Sequence, residues 1–229
     1  MAVFFRAAAA WIDAFGAPEV VAAFARHFES LREKRRKWWG RDLLNLEGML
    51  KIWEKTGDPS LRADAVELAQ GAYDFRRFRA ERRIHEHGVS FSESLKLPAI
   101  LFRFTGDRAW LRLGRKAVDD AFAENEQPSG ALGANEDLSG RDPRQGYETC
   151  CTSDLLWSLG WYVEADGSAR DADRMEKLAY NALPGAVTKD FTALQYLSAV
   201  NQPCATPFSN DSHFNLSYDW PSSCCIYSD

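Results

Sequence analysis

Apolar positions in this chain recur three and four residues apart over most of its length, the spacing that lays one buried stripe along an α-helix. Pro18 occupies a first-turn position, and Val20, Val21, Phe24, Phe28 and Leu31 follow it with helical spacing. Asp42 to Lys55 repeats the pattern through Leu43, Leu44, Leu46, Met49, Leu50 and Trp53. The spacing predicts further helices over 63–79, 90–104, 109–124, 149–164 and 171–183. These helices pair through a recurring punctuation. Thr56-Gly57-Asp58 ends one helix, Thr105-Gly106-Asp107 does the same later, and Ala165-Asp166-Gly167 is a degenerate third copy. Glycine closes a helix in a left-handed cap and Asp caps the next one, so each copy reads as helix, tight turn, helix. Such a repeat builds either an α-solenoid or a closed toroid of helical hairpins, and the pattern alone leaves both open. From Thr192 the pattern becomes short and extended, through Leu194, Tyr196, Leu197, Ala199 and Val200, before Pro203, Pro207 and Pro221. It predicts one strand near 193–200 and loop beyond it.

Composition narrows the function classes. The 229 residues suffice for a buried core, and a net charge of −5 gives no support to a general nucleic-acid or membrane-surface role. The basic run Arg32 to Lys37, beside Trp38 and Trp39, reads as a solvated helix face. No stretch approaches the roughly 18 apolar residues of a spanning helix. Arg6 and Asp13 bracket the apolar run Ala7 to Ile12 too closely for a secretory signal, so a cytoplasmic location is expected. The chain holds eight Trp, each better read singly as core than as a sugar platform.

Candidate chemistry gathers towards the C-terminal end. All five cysteines, Cys150, Cys151, Cys204, Cys224 and Cys225, lie there, and an odd, adjacent set is poor material for disulfides. A thiolate metal site is the more economical reading, although the usual Cys-x-x-Cys knuckle is absent. The segment 130–152, GALGANEDLSGRDPRQGYETCCT, is rich in glycine and acidic residues and runs into a helix starting near Thr149. Glu148 and Cys150 therefore stand at a helix N-terminus, where the macrodipole favours a carboxylate and a thiolate. The plain alternative is that Glu148 only caps. Glu136 and Asp137 lie upstream on the loop, and His85 and His87 flank Glu86 as either a metal pair or a local hydrogen-bonding feature.

In order and spacing these motifs resemble one family. The stretch Glu136-Asp137 through Asp142-Pro143-Arg144-Gln145-Gly146-Tyr147-Glu148-Thr149-Cys150 is similar to the signature of the glycoside hydrolases named after β-L-arabinofuranosidase, glycoside hydrolase family 127. His87-Gly88-Val89, Leu95-Lys96 with Pro98-Ala99, and Thr105-Gly106-Asp107 match the preceding hairpin; Tyr180-Asn181-Ala182-Leu183-Pro184, Leu194-Gln195-Tyr196 and Cys224-Cys225 follow in order. The resemblance runs from about residue 42 to the end.

It implies an all-α fold, an incomplete (α/α)6-barrel-type toroid with a short strand and loop region at its C-terminus, as a single partial catalytic domain over 1–229. It implies zinc held by Glu148, Cys150, Cys224 and Cys225, with Cys224 doubling as nucleophile. Glu136 would be the acid/base, His87 and Tyr196 would contact the sugar, and the outcome would be retention through a thioglycosyl intermediate. The partner implied is an arabinose-containing carbohydrate. Two departures leave choices open: Cys151 stands beside Cys150 as a rival ligand, and Asp137 stands beside Glu136 as a rival acid. The predicted helices are fewer than a closed (α/α)6 barrel holds, so the chain is expected to be a fragment whose open edges favour self-association. The competing readings are a catalytically inactive zinc-stapled fragment and a helical-repeat interaction module.

Overall fold

The computed structural model describes residues 2–31, 45–72, 87–192 and 194–201. The helices, numbered in chain order, are α1 (Ala2–Phe15), α2 (Pro18–Ser30), α3 (Leu46–Thr56), α4 (Pro59–Ala72), α5 (Gly88–Ser94), α6 (Leu97–Thr105), α7 (Arg108–Asn125), α8 (Thr149–Asp166) and α9 (Ala169–Lys177). A π-helical turn, Leu178–Ala182, and a short helix α10, Leu183–Gly185, follow α9.

The Thr-Gly-Asp repeat is the capped turn that joins α3 to α4 and α6 to α7. Gly57 (φ 68°) and Gly106 (φ 73°) close α3 and α6 in the left-handed region, and their N–H groups donate to Trp53 and Phe102 carbonyls at 2.7 Å. Thr56 and Thr105 hydroxyls bond back to the carbonyls of Ile52 and Leu101, and Asp58 and Asp107 accept from Ser60 and Ala109 N–H groups at 2.8 Å. In the third copy Gly167 (φ 70°) closes α8, but Ser168 takes over the capping of α9 while Asp166 pairs with Arg115.

These turns fold the chain into hairpins in two rows. Helices α3, α6 and α8 stand side by side, and α4, α7 and α9 pack behind them. Arg103 on α6 pairs with Glu54 on α3 and Glu164 on α8, tying the row together at its C-terminal end. The core includes Leu46, Ile52, Phe91, Leu95, Ile100, Leu155 and Leu159, all fully buried. Tyr162 reaches across to donate to the Leu95 carbonyl at 2.5 Å, over Gly114 of α7, where any side chain would overlap the phenol. Helix α1 crosses α3 with Phe5 and Ile12 buried, and leaves Phe4, Trp11 and Phe15 exposed. The arrangement is the all-α toroid type the sequence led us to expect. Among the described residues no helix is long and apolar enough to cross a membrane.

Three expectations need correcting. The single helix over 90–104 is two, α5 and α6, broken at Leu95-Lys96. Pro98 lies in the first turn of α6, where its missing N–H costs nothing; inside a continuous helix its ring would meet the preceding turn. The helix over 171–183 begins at Ala169 and passes into the π turn. The strand over 193–200 shrinks to β4 (Leu197–Ser198), with Leu194 bridged separately to Val187. It joins β1 (Ala134–Asn135), β2 (Asp137–Leu138) and β3 (Tyr147–Glu148) in a small sheet of order β2-β1-β3-β4. Strand β1 runs antiparallel to β2 and parallel to β3, and β3 runs antiparallel to β4. The glycine-rich segment 130–152 thus supplies three of these four strands. The basic run at 32–37, His85, Cys204, His213, Cys224 and Cys225 lie outside the described residues.

Candidate active site

The small sheet brings together side chains from four separate stretches of chain. His87 caps α5, its Nδ1 accepting from the Ser90 N–H at 3.2 Å. That bond leaves Nε2 to carry the ring's proton in the neutral form, and Nε2 faces Glu136 Oε2 at 3.5 Å. Glu136 stands between β1 and β2 at φ 66°, a left-handed conformation that is uncommon for a residue with a side chain. It is held there by the Gly88 N–H, which donates to its carbonyl at 2.7 Å, and by the bridge between His87 and Asp137. The approach requires glycine at 88, because a Cβ there would lie 2.5 Å from the Ala134 Cβ. On the other side, β4 lies along β3, and Thr149 binds the carbonyls of Tyr196 (from its N–H, 2.9 Å) and Gln195 (from its hydroxyl, 2.7 Å). The Tyr196 hydroxyl then donates to Glu136 Oε1 at 2.6 Å.

Glu148 holds the N-cap position of α8, yet its side chain makes no capping bond. It turns inward to full burial, where Cys150 Sγ donates to its Oε1 at 2.5 Å and its Oε2 has no hydrogen-bond partner. Burial pushes the Glu148 carboxyl above its usual range, against the pull of Cys150 and Tyr196. The helix dipole by itself would act the other way, so at this site desolvation wins. Burial, together with the adjoining Glu136 and Glu148 carboxylates, also holds the Tyr196 phenol far above its usual range, so it remains a proton donor.

The adjacent cysteines face different surroundings. Cys150 meets Glu148, whereas Cys151 Sγ lies 3.2 Å from Ser92 Oγ in the α5–α8 interface, its thiol pushed up to about 12 by burial. Single ligand atoms of His87, Glu136 and Glu148 all lie within 4.8 Å of one another, a set able to take a metal ion. Asp137, exposed on β2, is not part of that set. Of the seven residues singled out from the sequence, His87, Glu136 and Glu148 form that set, Cys150 meets it through Glu148 and Tyr196 through Glu136, and Cys224 and Cys225 are outside the described residues. The supporting roles of Ser90, Gly88 and Thr149 went unread, because each acts through a backbone contact that no side-chain pattern announces.

No family model matches the sequence, and no curated protein does. Solved structures do share its fold. A GH127 β-arabinofuranosidase matches with a TM-score of 0.59 at 16% identity, over 81% of this chain and 31% of its own. A polysaccharide lyase matches with a TM-score of 0.63 at 15% identity, over 99% of this chain and 69% of its own. An α-1,6-mannanase of Salegentibacter sp. HEL1_6, solved with α-1,6-mannotriose, matches with a TM-score of 0.54 at 12% identity, over 77% and 47%. The chain thus spans about a third of the length of the β-arabinofuranosidase it is similar to. At these identities the likeness establishes the fold: an all-α toroid of the kind on which these carbohydrate-processing proteins are built.

Proposed function

We propose that this chain carries the catalytic centre of a retaining glycoside hydrolase that removes a non-reducing-end furanoside such as β-L-arabinofuranose. The observation that carries the reading is the unequal burial of two neighbouring carboxylates: the Glu136 side chain is 59% exposed, and Glu148 is fully buried. Glycoside hydrolysis needs one group that protonates the leaving oxygen and later takes a proton from water. Glu136 is open to substrate, and Tyr196 and His87 hold its two oxygens from the protein side. Once Glu136 has given up its proton, the Tyr196 hydroxyl stabilises the carboxylate and keeps it aimed.

Glu148 suits a different task. Two-carboxylate retaining enzymes hold their carboxyl groups about 5–5.5 Å apart, with both free to approach the sugar. Glu148 is fully buried, so it is not open to a sugar in that way. A buried carboxylate oxygen without a partner, beside a thiol, is instead a donor pair suited to zinc. In this reading Glu148 and Cys150 hold the metal with Cys224 and Cys225, whose part rests on the sequence resemblance. Bound zinc would keep its thiolate ligands deprotonated near neutral pH. By the same resemblance Cys224 would serve as the nucleophile at the anomeric carbon, while Glu136 would give its proton to the leaving oxygen and later take one from the water that releases the sugar.

The test is zinc content by elemental analysis beside hydrolysis of an aryl β-L-arabinofuranoside. The wild type should bind about one zinc, as a four-donor site does. Cys150→Ser and Cys224→Ser should lose it, and Cys151→Ser, whose sulfur faces Ser92, should keep it. Glu136→Gln should keep zinc and lose about 10²–10⁴-fold in kcat. A zinc-free wild type, or full activity in Glu136→Gln, overturns the reading.

A further inference from the structure

A concave site apart from the Glu136 centre lies along α8. It is a cleft of about 710 Å³ between α1, α3 and α8, a volume typical of small-molecule sites. Cys150, Ser153, Trp157, Trp161 and Glu164 fall on one stripe of α8, so the cleft opens along the same helix as the site above. At 1.5 Å per residue, Trp157 stands about 10 Å further along the axis than Cys150.

Its floor is a fixed polar knot. Glu47 Oε1 accepts from the indole N–H groups of Trp157 (2.8 Å) and Trp161 (3.1 Å), and Oε2 accepts from Arg6 Nε (2.9 Å). The Lys96 ammonium, fully buried beneath, pairs with Glu47 Oε1 at 3.1 Å. Arg6 also lies over the Trp157 ring, 4.8 Å from its centroid. Each partner holds the others, so the indoles lose little freedom when something settles on them. Despite these bonds Trp157 remains 46% exposed, a large flat apolar surface in a concavity.

The charges lining the cleft are all paired. Lys51 pairs with Asp13 and Glu54, Arg103 pairs with Glu54 and Glu164, and Arg6 meets Glu47, with Lys96 buried beneath it. None of the seven charged side chains in the lining is left without a counter-charge to hold a phosphate, a carboxylate or an amine. What remains is an aromatic face rimmed by strong donors and acceptors. An uncharged ligand with apolar faces and hydroxylated edges matches it on both counts.

From this geometry we infer that the cleft is a binding site for a neutral oligosaccharide, separate from the Glu136 centre; the choice of a sugar among neutral polyols rests on the carbohydrate reading above. Calorimetric titration of the full chain with neutral arabino-, manno- and gluco-oligosaccharides of two to five units tests it, with a uronic-acid oligosaccharide as the charged control. We expect saturable binding of at least one neutral series and none of the charged one. Trp157→Ala should weaken binding tenfold or more, while Trp157→Phe, which keeps a stacking face and removes only the N–H, should retain most of it. Neither should change hydrolysis of an aryl β-L-arabinofuranoside. Glu136→Gln should abolish hydrolysis and leave the titration intact, so intact titration without any hydrolysis sinks the catalytic reading alone. No binding by the wild type, or equal loss in the Ala and Phe variants, overturns the inference. So does concentration-dependent association in sedimentation that Trp157→Ala removes, which would give the cleft to a second copy of the chain.

Discussion

Glu136 owes its position to its backbone. A residue with a Cβ at φ 66° is held against its own preference, and here the restraint is one hydrogen bond from Gly88 and a two-residue strand on either side. Gly88→Ala would drive a methyl to 2.5 Å from the Ala134 Cβ, and both atoms are tied to backbone that has nowhere to go. The expected cost is about 1–3 kcal/mol, with kcat falling further than stability alone explains because Glu136 moves with β1. Chemical denaturation beside steady-state kinetics separates the two effects; unchanged kcat in a folded Gly88→Ala protein would refute the link. Tyr196→Phe removes the 2.6 Å donor from Glu136 while preserving the ring. Without that donor one oxygen of the Glu136 carboxylate is no longer held from the protein side, so kcat should fall about tenfold or more while urea stability stays close to that of the wild type. An unchanged kcat would count against a direct role for the hydroxyl.

The helices meet through turns whose chemistry repeats. Gly57 and Gly106 have nothing within 4 Å of a built Cβ, so they are present for their positive φ and not for packing. Substitution by alanine at either should therefore cost only the left-handed penalty, about 1–2 kcal/mol, and the two losses should add, because the turns are independent. Urea unfolding of the single and double variants would show it; a loss well beyond that range would mean the turns carry tertiary contacts as well. Helix α8 is the element that organises the site. Its N-terminus presents Glu148 and Cys150 on one side and Cys151 on the other, against Ser92 of α5, while its later turns carry Trp157 and Trp161 towards α3.

At the scale of the whole molecule, α1, α3, α8 and the turn between α5 and α6 converge on Glu47. Burial pushes its carboxyl up, but Lys96 and Arg6 outweigh burial and hold it below its ordinary value of 4.5. A carboxylate with a depressed folded pKa contributes stability that is fully present above its unfolded pKa and is lost as pH falls through the folded one. Thermal stability should therefore decline as pH drops below about 4.5, the unfolded value for Glu. Glu47→Gln leaves only Asp154 to face the Lys96 and Arg6 charges, so it should cost about 3 kcal/mol at neutral pH and flatten that acid limb. Melting curves from pH 6 to 3 decide the point; an equally steep decline in the variant would assign the acid limb to other carboxylates.

Helix placement, the paired hairpins and their capping turns were legible in the sequence because each is decided within a turn or two of chain. Apolar spacing selects the helix, glycine ends it, and Asp or Ser starts the next. The order of the motifs also picked out side chains that lie close together in the fold, where His87 and Tyr196 meet Glu136 and Cys150 meets Glu148. What the sequence left open was settled by contacts between distant segments. Cys150 and Cys151 are equivalent as letters, and only the packing of α5 against α8 turns one to Glu148 and the other to Ser92. Glu148 looked like a capping residue because its position is local, whereas its burial depends on walls from elsewhere in the fold. The strands around 134–148 are too short to show a period, and only pairing with one another and with β4 makes them a sheet. Nothing local marks Glu47, since Arg6, Trp157 and Trp161 reach it from α1 and α8 and Lys96 from the turn between α5 and α6. Backbone geometry is written locally along the chain; burial, and the charge state burial imposes, exists only where the chain returns to itself.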